Sequence, residues 1–143
     1  MKVLLTGGAG YIGSHTALEL IQAGYGVIIA DNLSNSSRTV IERLEKISGA
    51  RIPFYNVDVS RREDLNRLFK AEKIGSVIHF AGYKAVGESS VNPLKYYRNN
   101  IDCTLTLLEA MHAHNVNTLV FSSSATVYGY PEKSPVDETA PTR

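Results

Sequence analysis

Cysteine, tryptophan and long apolar segments are what this 143-residue sequence has least of. Cys103 is the single cysteine and tryptophan is absent, so there is no disulfide framework and we expect a cytoplasmic protein. The longest apolar runs are too short to span a membrane, and the N-terminal run is too short for a signal peptide. We therefore expect no membrane partner.

Charge of either sign is not in excess. Lysine and arginine total 15, and aspartate and glutamate total 14, so no basic surface of the kind that binds nucleic acid is indicated. The four histidines have no spacing typical of a metal site, and we expect no bound metal.

Short apolar segments alternate with amphipathic helical patterns along the chain. This alternation predicts one α/β domain, residues 1–143, with a doubly wound parallel sheet and right-handed crossovers. The expected strand order is 3-2-1-4-5, with ligands at the carboxyl ends of the strands. The predicted strands are residues 2–5, 27–30, 52–57, 76–80 and 118–122.

Several helix ends are marked by particular residues. The second helix is expected to end near Gly49, and the segment 58–60 is expected to cap the third. A long fourth helix begins at Asn92-Pro93 and extends to about Asn115. Its apolar residues are predicted to form one stripe, which consists of Tyr97, Ile101, Leu105, Leu108 and Met111.

A glycine-rich turn, residues 6–13, follows the first strand. With the helix, the second strand and Asp31 after it, this turn is typical of the dinucleotide site of Rossmann folds. Gly7 is expected to allow the tight turn, Gly10 to let a pyrophosphate approach the helix N-terminus, and Gly13 to let the helix pack closely. Alternatively, the glycines only build a turn. A simple turn, however, does not require a helix, a second strand and Asp31 to follow it.

Asp31 predicts which dinucleotide is preferred. Its carboxylate can accept hydrogen bonds from the adenosine ribose hydroxyls and would repel a 2′-phosphate, so NAD is favoured over NADP. Arg38 is close in sequence and would soften this preference if it faced the ribose. The alternative is a solvated arginine on the helix surface.

Polar residues follow the other strands as well. Asp58 can accept a hydrogen bond from an adenine amino group or cap a helix. Lys84 offers a cation after strand four, although it can also be a solvated loop residue. The serines 122–124 offer hydroxyl groups after strand five, or simple turn chemistry.

Together these segments resemble the UDP-glucose 4-epimerases, a family in the extended branch of the short-chain dehydrogenases/reductases. The resemblance covers essentially the whole chain. It rests on TGGAGYIGSHT from Thr6, DN at Asp31, IHFAGYKAVGES from Ile78, YYxxN from Tyr96 and FSSSATVYG from Phe121. It implies NAD as a tightly held cofactor, a UDP-hexose substrate (UDP-glucose or UDP-galactose) epimerised through a 4-keto intermediate, and a homodimer formed through the long helix.

The resemblance also implies roles for individual residues. Ser124 would be catalytic and bind the reacting sugar. The cofactor residues would surround the pyrophosphate (Gly7, Gly10, Tyr11, Ile12, Gly13), the adenosine ribose (Asp31, Asn32, Leu33, Ser34, Asn35, Ser36), the adenine (Asp58, Val59) and the remaining ribose and pyrophosphate (Phe80, Ala81, Gly82, Tyr83, Lys84, Asn99).

The family's catalytic Tyr-x-x-x-Lys has no counterpart here. Tyr128 and Tyr130 are followed at the fourth position by Glu132 and Ser134. We therefore expect a sheet truncated after about five strands, lacking the C-terminal substrate domain and inactive alone. The alternatives are another nucleotide-sugar enzyme of this branch, such as a 4,6-dehydratase or decarboxylase, or a non-catalytic NAD sensor. The Asp-Glu pair of the dehydratases is replaced by Ala125-Thr126, which disfavours the first of these.

Overall fold

The computed structural model describes residues 2–131 and 133–142, so Glu132 lies outside it. Five parallel strands form one sheet in the order β3-β2-β1-β4-β5, which confirms the predicted fold class and strand order. The strands are β1 (Lys2–Thr6), β2 (Gly26–Asp31), β3 (Phe54–Asn56), β4 (Ile74–His79) and β5 (Leu119–Phe121).

Five α-helices connect the strands or follow them. The predictions missed α4, and they began β4 two residues late. The helices are α1 (Tyr11–Gln22), α2 (Arg38–Ser48), α3 (Arg62–Ala71), α4 (Val86–Val91) and α5 (Pro93–Ala113), with a short 3₁₀ helix at Ala125–Tyr128.

Alternate residues of β1 point into two separate hydrophobic clusters. Leu4 packs with residues of α3 and α5 on one face of the sheet. Leu5 packs with α1 and α2 on the other face. Burying one such side chain contributes about 1.5–3 kcal/mol to the stability of the fold, so the sheet is stabilised from both faces. Loops occupy the edge at the carboxyl ends of its strands.

The ends of α2 follow from its sequence, whereas the predicted cap of α3 is wrong. Ser37 accepts a hydrogen bond from the Thr39 backbone, and Gly49 ends α2 in the left-handed conformation. The N-cap of α3 is Arg61 rather than the segment 58–60. The Asp58 carboxylate instead accepts from the backbone N–H and the hydroxyl of Ser60, which closes a tight turn before the helix.

Helix α5 has two apolar faces, which the predicted stripe mixed. Its buried face consists of Tyr96, Cys103, Leu107, Ala110 and Met111. The other predicted stripe residues form an exposed face together with Leu94. We call this the α5 apolar face, and its residues are Leu94, Tyr97, Ile101, Leu105 and Leu108, each at least 42% exposed.

Strand β5 lies at an edge of the sheet among the described residues and is poorly covered. Val120 and Phe121 are 54% and 52% exposed. No helix within residues 2–131 and 133–142 is long and apolar enough to cross a membrane.

Candidate dinucleotide site

A cleft of about 320 Å³ lies along the carboxyl ends of the strands. It contains all the predicted cofactor residues except Leu33 and Ser36, and it adds Val57, Cys103 and Ser122. The predicted residues that line it are Gly7, Gly10, Tyr11, Ile12, Gly13, Asp31, Asn32, Ser34, Asn35, Asp58, Val59, Phe80, Ala81, Gly82, Tyr83, Lys84 and Asn99.

The glycine turn is built so tightly that side chains would collide with backbone. Gly7 has φ +71°, and a Cβ there would lie 2.6 Å from the Ala81 nitrogen. A Cβ on Gly13 would lie 2.6 Å from the Gly7 carbonyl oxygen, so this glycine lets α1 pack against the turn itself. A Cβ on Gly10 would be 3.2 Å from the same oxygen.

The N-terminus of α1 opens into the cleft. Gly10 is its N-cap, and no side chain caps the first turn, so first-turn N–H groups remain available to an anion. Tyr11 and Ile12 are 82% and 60% exposed. This end of the helix suits a diphosphate that approaches from the cleft.

Asp31 is a buried carboxylate held by three protein donors. Its Oδ2 accepts from the Ala9 backbone at 3.0 Å, and its Oδ1 accepts from the Leu33 backbone at 2.8 Å and the Ser36 hydroxyl at 3.0 Å. Leu33 and Ser36 therefore orient Asp31 instead of lining the cleft. A carboxylate has about four acceptor sites, so one remains, on Oδ2, for a further donor such as a ribose hydroxyl.

Arg38 packs on an aromatic ring and does not line the cleft. Its guanidinium carbon lies 5.5 Å from the centre of the Phe54 ring, within the range of a cation–π interaction. Arg38 is absent from the cleft lining, which supports the alternative that it is a surface residue.

The loop after β4 is clamped by a residue that the sequence analysis missed. Asn100 Oδ1 accepts from the Tyr83 N–H at 2.8 Å, and its Nδ2 donates to the Tyr83 carbonyl at 3.0 Å. The predicted residue Asn99 lines the cleft and donates to the same Asn100 oxygen at 3.0 Å. In the sequence, the indication of this role was that Asn100 directly follows the predicted residue Asn99.

His79, at the end of β4, is buried. Its ring lies 2.6 Å from Thr6 Oγ1 and 3.2 Å from Thr104 Oγ1. Burial, reinforced by the charge of Lys84, lowers the pKa of His79 to about 4. The ring is therefore neutral at physiological pH.

The positions of Ser124 and Cys103 relative to the cleft differ. Ser124 is exposed at the N-terminus of the 3₁₀ helix, with its hydroxyl 2.8 Å from that of Thr126. It does not line the cleft, whereas Ser122 does. Cys103 lines the cleft but is buried, and burial raises the pKa of its thiol to about 11, so it is unreactive at neutral pH.

The arrangement as a whole fits a dinucleotide. The glycine cradle, which consists of Gly7, Gly10 and Gly13, lies with the uncapped N-terminus of α1 in the middle of the cleft. Asp31 and Asp58 lie on one side of it, after β2 and β3, and the loop with Lys84 lies on the other side, after β4. The topological switch point of such a sheet is the place where nucleotides bind. No cluster of metal-ligating side chains occurs in the described part of the chain.

Comparisons with known proteins agree with this geometry. The model of the NAD dependent epimerase/dehydratase family matches residues 3–143. UDP-glucose 4-epimerase of Dictyostelium discoideum is 58% identical over 140 residues, which is 98% of this chain and 41% of that protein. The Bacillus subtilis enzyme is 53% identical over 141 residues, which is 99% of this chain and 42% of that protein.

Solved structures show the same likeness. UDP-glucose 4-epimerase from Bifidobacterium longum, determined in complex with NAD+ and UDP, has a TM-score of 0.96 and 50% identity, and the match covers 100% of this chain and 43% of that one. The chain thus spans about two fifths of the length of these relatives. The chain belongs to the NAD dependent epimerase/dehydratase family.

Proposed function

We propose that this chain is the NAD-binding portion of a UDP-glucose 4-epimerase. The observation that carries the proposal is the cleft, in which the glycine cradle and the uncapped N-terminus of α1 face the buried Asp31. The similarity to epimerases over essentially the whole chain supports the same assignment. The substrate domain would then lie in the part of the relatives that this chain does not span.

The cofactor residues would divide into three groups along the cleft. Asp31 at the end of β2 and Asp58 after β3 would hold the adenosine half. The N-terminus of α1 would hold the pyrophosphate. Phe80 to Lys84 would run along the other ribose and the pyrophosphate, and Asn99 would reach toward the cofactor from α5.

The charge of Asp31 would select NAD over NADP. A 2′-phosphate placed at the ribose would meet a buried carboxylate, which is a repulsion that a hydroxyl does not suffer. Arg38 does not line the cleft, so it does not neutralise this effect.

In the epimerase the bound NAD would supply a reversible hydride acceptor for C4 of the hexose. Ser124 would hydrogen-bond the C4 oxygen and help to move its proton. Its hydroxyl is exposed on the β5 side of the cleft, where a sugar beside the nicotinamide half would lie. The product would be the UDP-hexose with inverted configuration at C4, formed through a 4-keto sugar.

The chain by itself would bind NAD without turnover. Its tyrosines after β5 are not followed by a lysine at the spacing that the family uses to lower the pKa of a tyrosine base. A dehydratase is disfavoured because Ala125 and Thr126 stand where that reaction uses an acidic pair. The preferred hexose would be set by residues outside this chain.

We further propose that the full-length protein is a cytoplasmic homodimer. The α5 apolar face is a continuous exposed surface that a second copy could cover. A cytoplasmic location is supported by the single cysteine, which is buried and free.

Two measurements test the proposal. Calorimetric titration of the chain with NAD should give a 1:1 complex, and a coupled assay with UDP-galactose should show no product from the chain alone. The same assay on the protein extended through the missing domain should show UDP-glucose formation. The assignment would be overturned if the chain did not bind NAD. It would also be overturned if the extended protein dehydrated dTDP-glucose and did not epimerise UDP-galactose.

A further inference from the structure

The backbone of Asn100 is tied to the centre of the sheet. Thr104 Oγ1 donates to the Asn100 carbonyl at 2.8 Å and lies 3.2 Å from His79 Nε2. Because the hydroxyl has one proton and uses it on that carbonyl, His79 Nε2 carries the ring proton and donates to Thr104. His79 Nδ1 then accepts from the hydroxyl of Thr6 at 2.6 Å.

The side chain of Asn100 continues this chain of bonds to the other wall of the cleft. Its amide pairs with both the N–H and the carbonyl of Tyr83, which fixes the loop that leads to Lys84. The result is a series of hydrogen bonds that connects Thr6, directly before the first glycine of the turn, to the Tyr83 backbone. The series passes through Asn100 itself, from its backbone carbonyl to its side-chain amide. Thr6 and His79 are fully buried at 0% and 2% exposure, where such bonds are strong and unpaired groups are costly.

We propose that Asn100 is a positioning residue that sets the distance between the glycine turn and the loop at Tyr83 and Lys84. This inference rests on the proposed binding of NAD. The loop lies on the β4 side of the cleft, opposite Asp31 at β2, and so faces the pyrophosphate and nicotinamide half rather than the adenosine half. Asn100 itself does not line the cleft.

The position of the clamp predicts an effect on only one half of the cofactor. Loss of the clamp should weaken NAD, which spans both halves, and leave AMP, which occupies only the adenosine half, nearly unchanged. A general loss of structure would weaken both ligands together. The ratio of the two dissociation constants therefore separates positioning from simple destabilisation.

The test uses calorimetric titration of the 143-residue chain with NAD and with AMP. Asn100→Ala should raise the dissociation constant of NAD by about threefold to tenfold, as expected for one or two lost hydrogen bonds. Thr104→Val removes the hydroxyl link at nearly constant volume and should act in the same direction. In both variants the dissociation constant of AMP should stay within about twofold of wild type, which is less than the loss of one hydrogen bond.

Thr106→Val is the matched control. Thr106 is also half-buried on α5, and its hydroxyl donates to a backbone carbonyl, that of Ser60, at 3.4 Å. It lies outside the chain of bonds, and the variant should leave the NAD to AMP ratio unchanged. If circular dichroism shows that Asn100→Ala is unfolded, Thr104→Val decides by the same criterion.

Two further results have distinct meanings. Failure of the wild-type chain to bind NAD would overturn the proposed function together with this inference. Intact wild-type binding with an unchanged ratio in the folded variants, or with NAD and AMP weakened equally, would overturn the inference alone.

Discussion

The carboxylate of Asp31 receives three hydrogen bonds from its own chain and still faces the cleft. The sequence predicted this residue from its place at the tip of β2. It could not predict that Leu33 and Ser36 orient Asp31 and do not line the cleft. That distinction depends on how the loop folds back, and several loop paths satisfy the same sequence.

Replacing Asp31 with asparagine should shift the cofactor preference. Asp31→Asn removes the charge that repels a 2′-phosphate and weakens the bonds to the ribose. Because bonds to charged groups contribute about 1.5–3 kcal/mol, we expect the NADP to NAD ratio of dissociation constants to fall by about tenfold or more, measured by calorimetry. Asp58→Asn, at the adenine end, should weaken both cofactors equally, and a similar shift in that control would contradict the role of Asp31.

His79 should make the free energy of unfolding depend on pH. Burial and the charge of Lys84 lower its pKa in the folded state from 6.5 to about 4, so between these values the unfolded chain binds a proton that the folded chain does not. Stability is therefore fully present above pH 6.5 and falls as the pH drops toward 4, by at most about 1.4 kcal/mol per pH unit from this residue. Urea titrations from pH 7 to 4.5 measure the effect.

The matched variant for this prediction is His79→Asn. It should be less stable at pH 7, because the bonds to Thr6 and Thr104 are altered. Its stability should nevertheless fall less steeply between pH 6.5 and 4.5. Parallel curves for the two proteins would show that other groups cause the dependence.

At the scale of elements, the sequence predicted a helix end where a single residue next to that end determines it. Gly49 ends α2 as predicted, and Ser37 caps its start. Helix α4 was missed because its Gly and Ser residues are poor helix formers. It is held by bonds to the start of the next helix, since Glu88 accepts from Lys95 and from the Tyr96 hydroxyl on α5.

The glycine turn should be far less tolerant of substitution than an equally left-handed glycine elsewhere. Gly7 and Gly24 both have positive φ, at +71° and +83°, but a Cβ meets backbone at 2.6 Å at Gly7 and nothing within 4 Å at Gly24. Gly24→Ala should lower the free energy of unfolding by about 1–2 kcal/mol through backbone strain alone. Gly7→Ala should lower it by about 3 kcal/mol or more, because overpacking is added to that strain.

Denaturant unfolding of both alanine variants checks this difference. The slope of each transition shows whether the two remain comparably folded. Equal losses would mean that the contact of Gly7 with the Ala81 backbone relaxes freely.

At the scale of the whole molecule, alternation of strands and helices predicted a parallel sheet, and the dinucleotide-type glycine turn after β1 predicted its strand order. Handedness and short connections leave few alternatives for such a pattern. The faces of α5 were harder to predict, because this helix has apolar residues on two sides and only packing shows that Met111 belongs to the core while Leu105 does not.

The α5 apolar face should cause the protein to associate with itself. Ile101→Lys places a charge at its centre and should shift the protein toward the monomer in analytical ultracentrifugation. Ile47→Lys, at a residue that is 68% exposed on α2, is the control and should leave the association unchanged. A wild-type chain that stays monomeric at high concentration would contradict this prediction.

The three protein donors on Asp31 have a consequence for the thermodynamics of binding. The rotamer freedom of this side chain is lost when the protein folds, since its neighbours hold it before any ligand arrives. A nucleoside bound here as proposed would meet a preorganised acceptor, and little further side-chain entropy would be lost at this end of the cleft. If Asp31 discriminates between the cofactors as proposed, the free protein already holds the carboxylate in place and binding requires no rearrangement of this side chain.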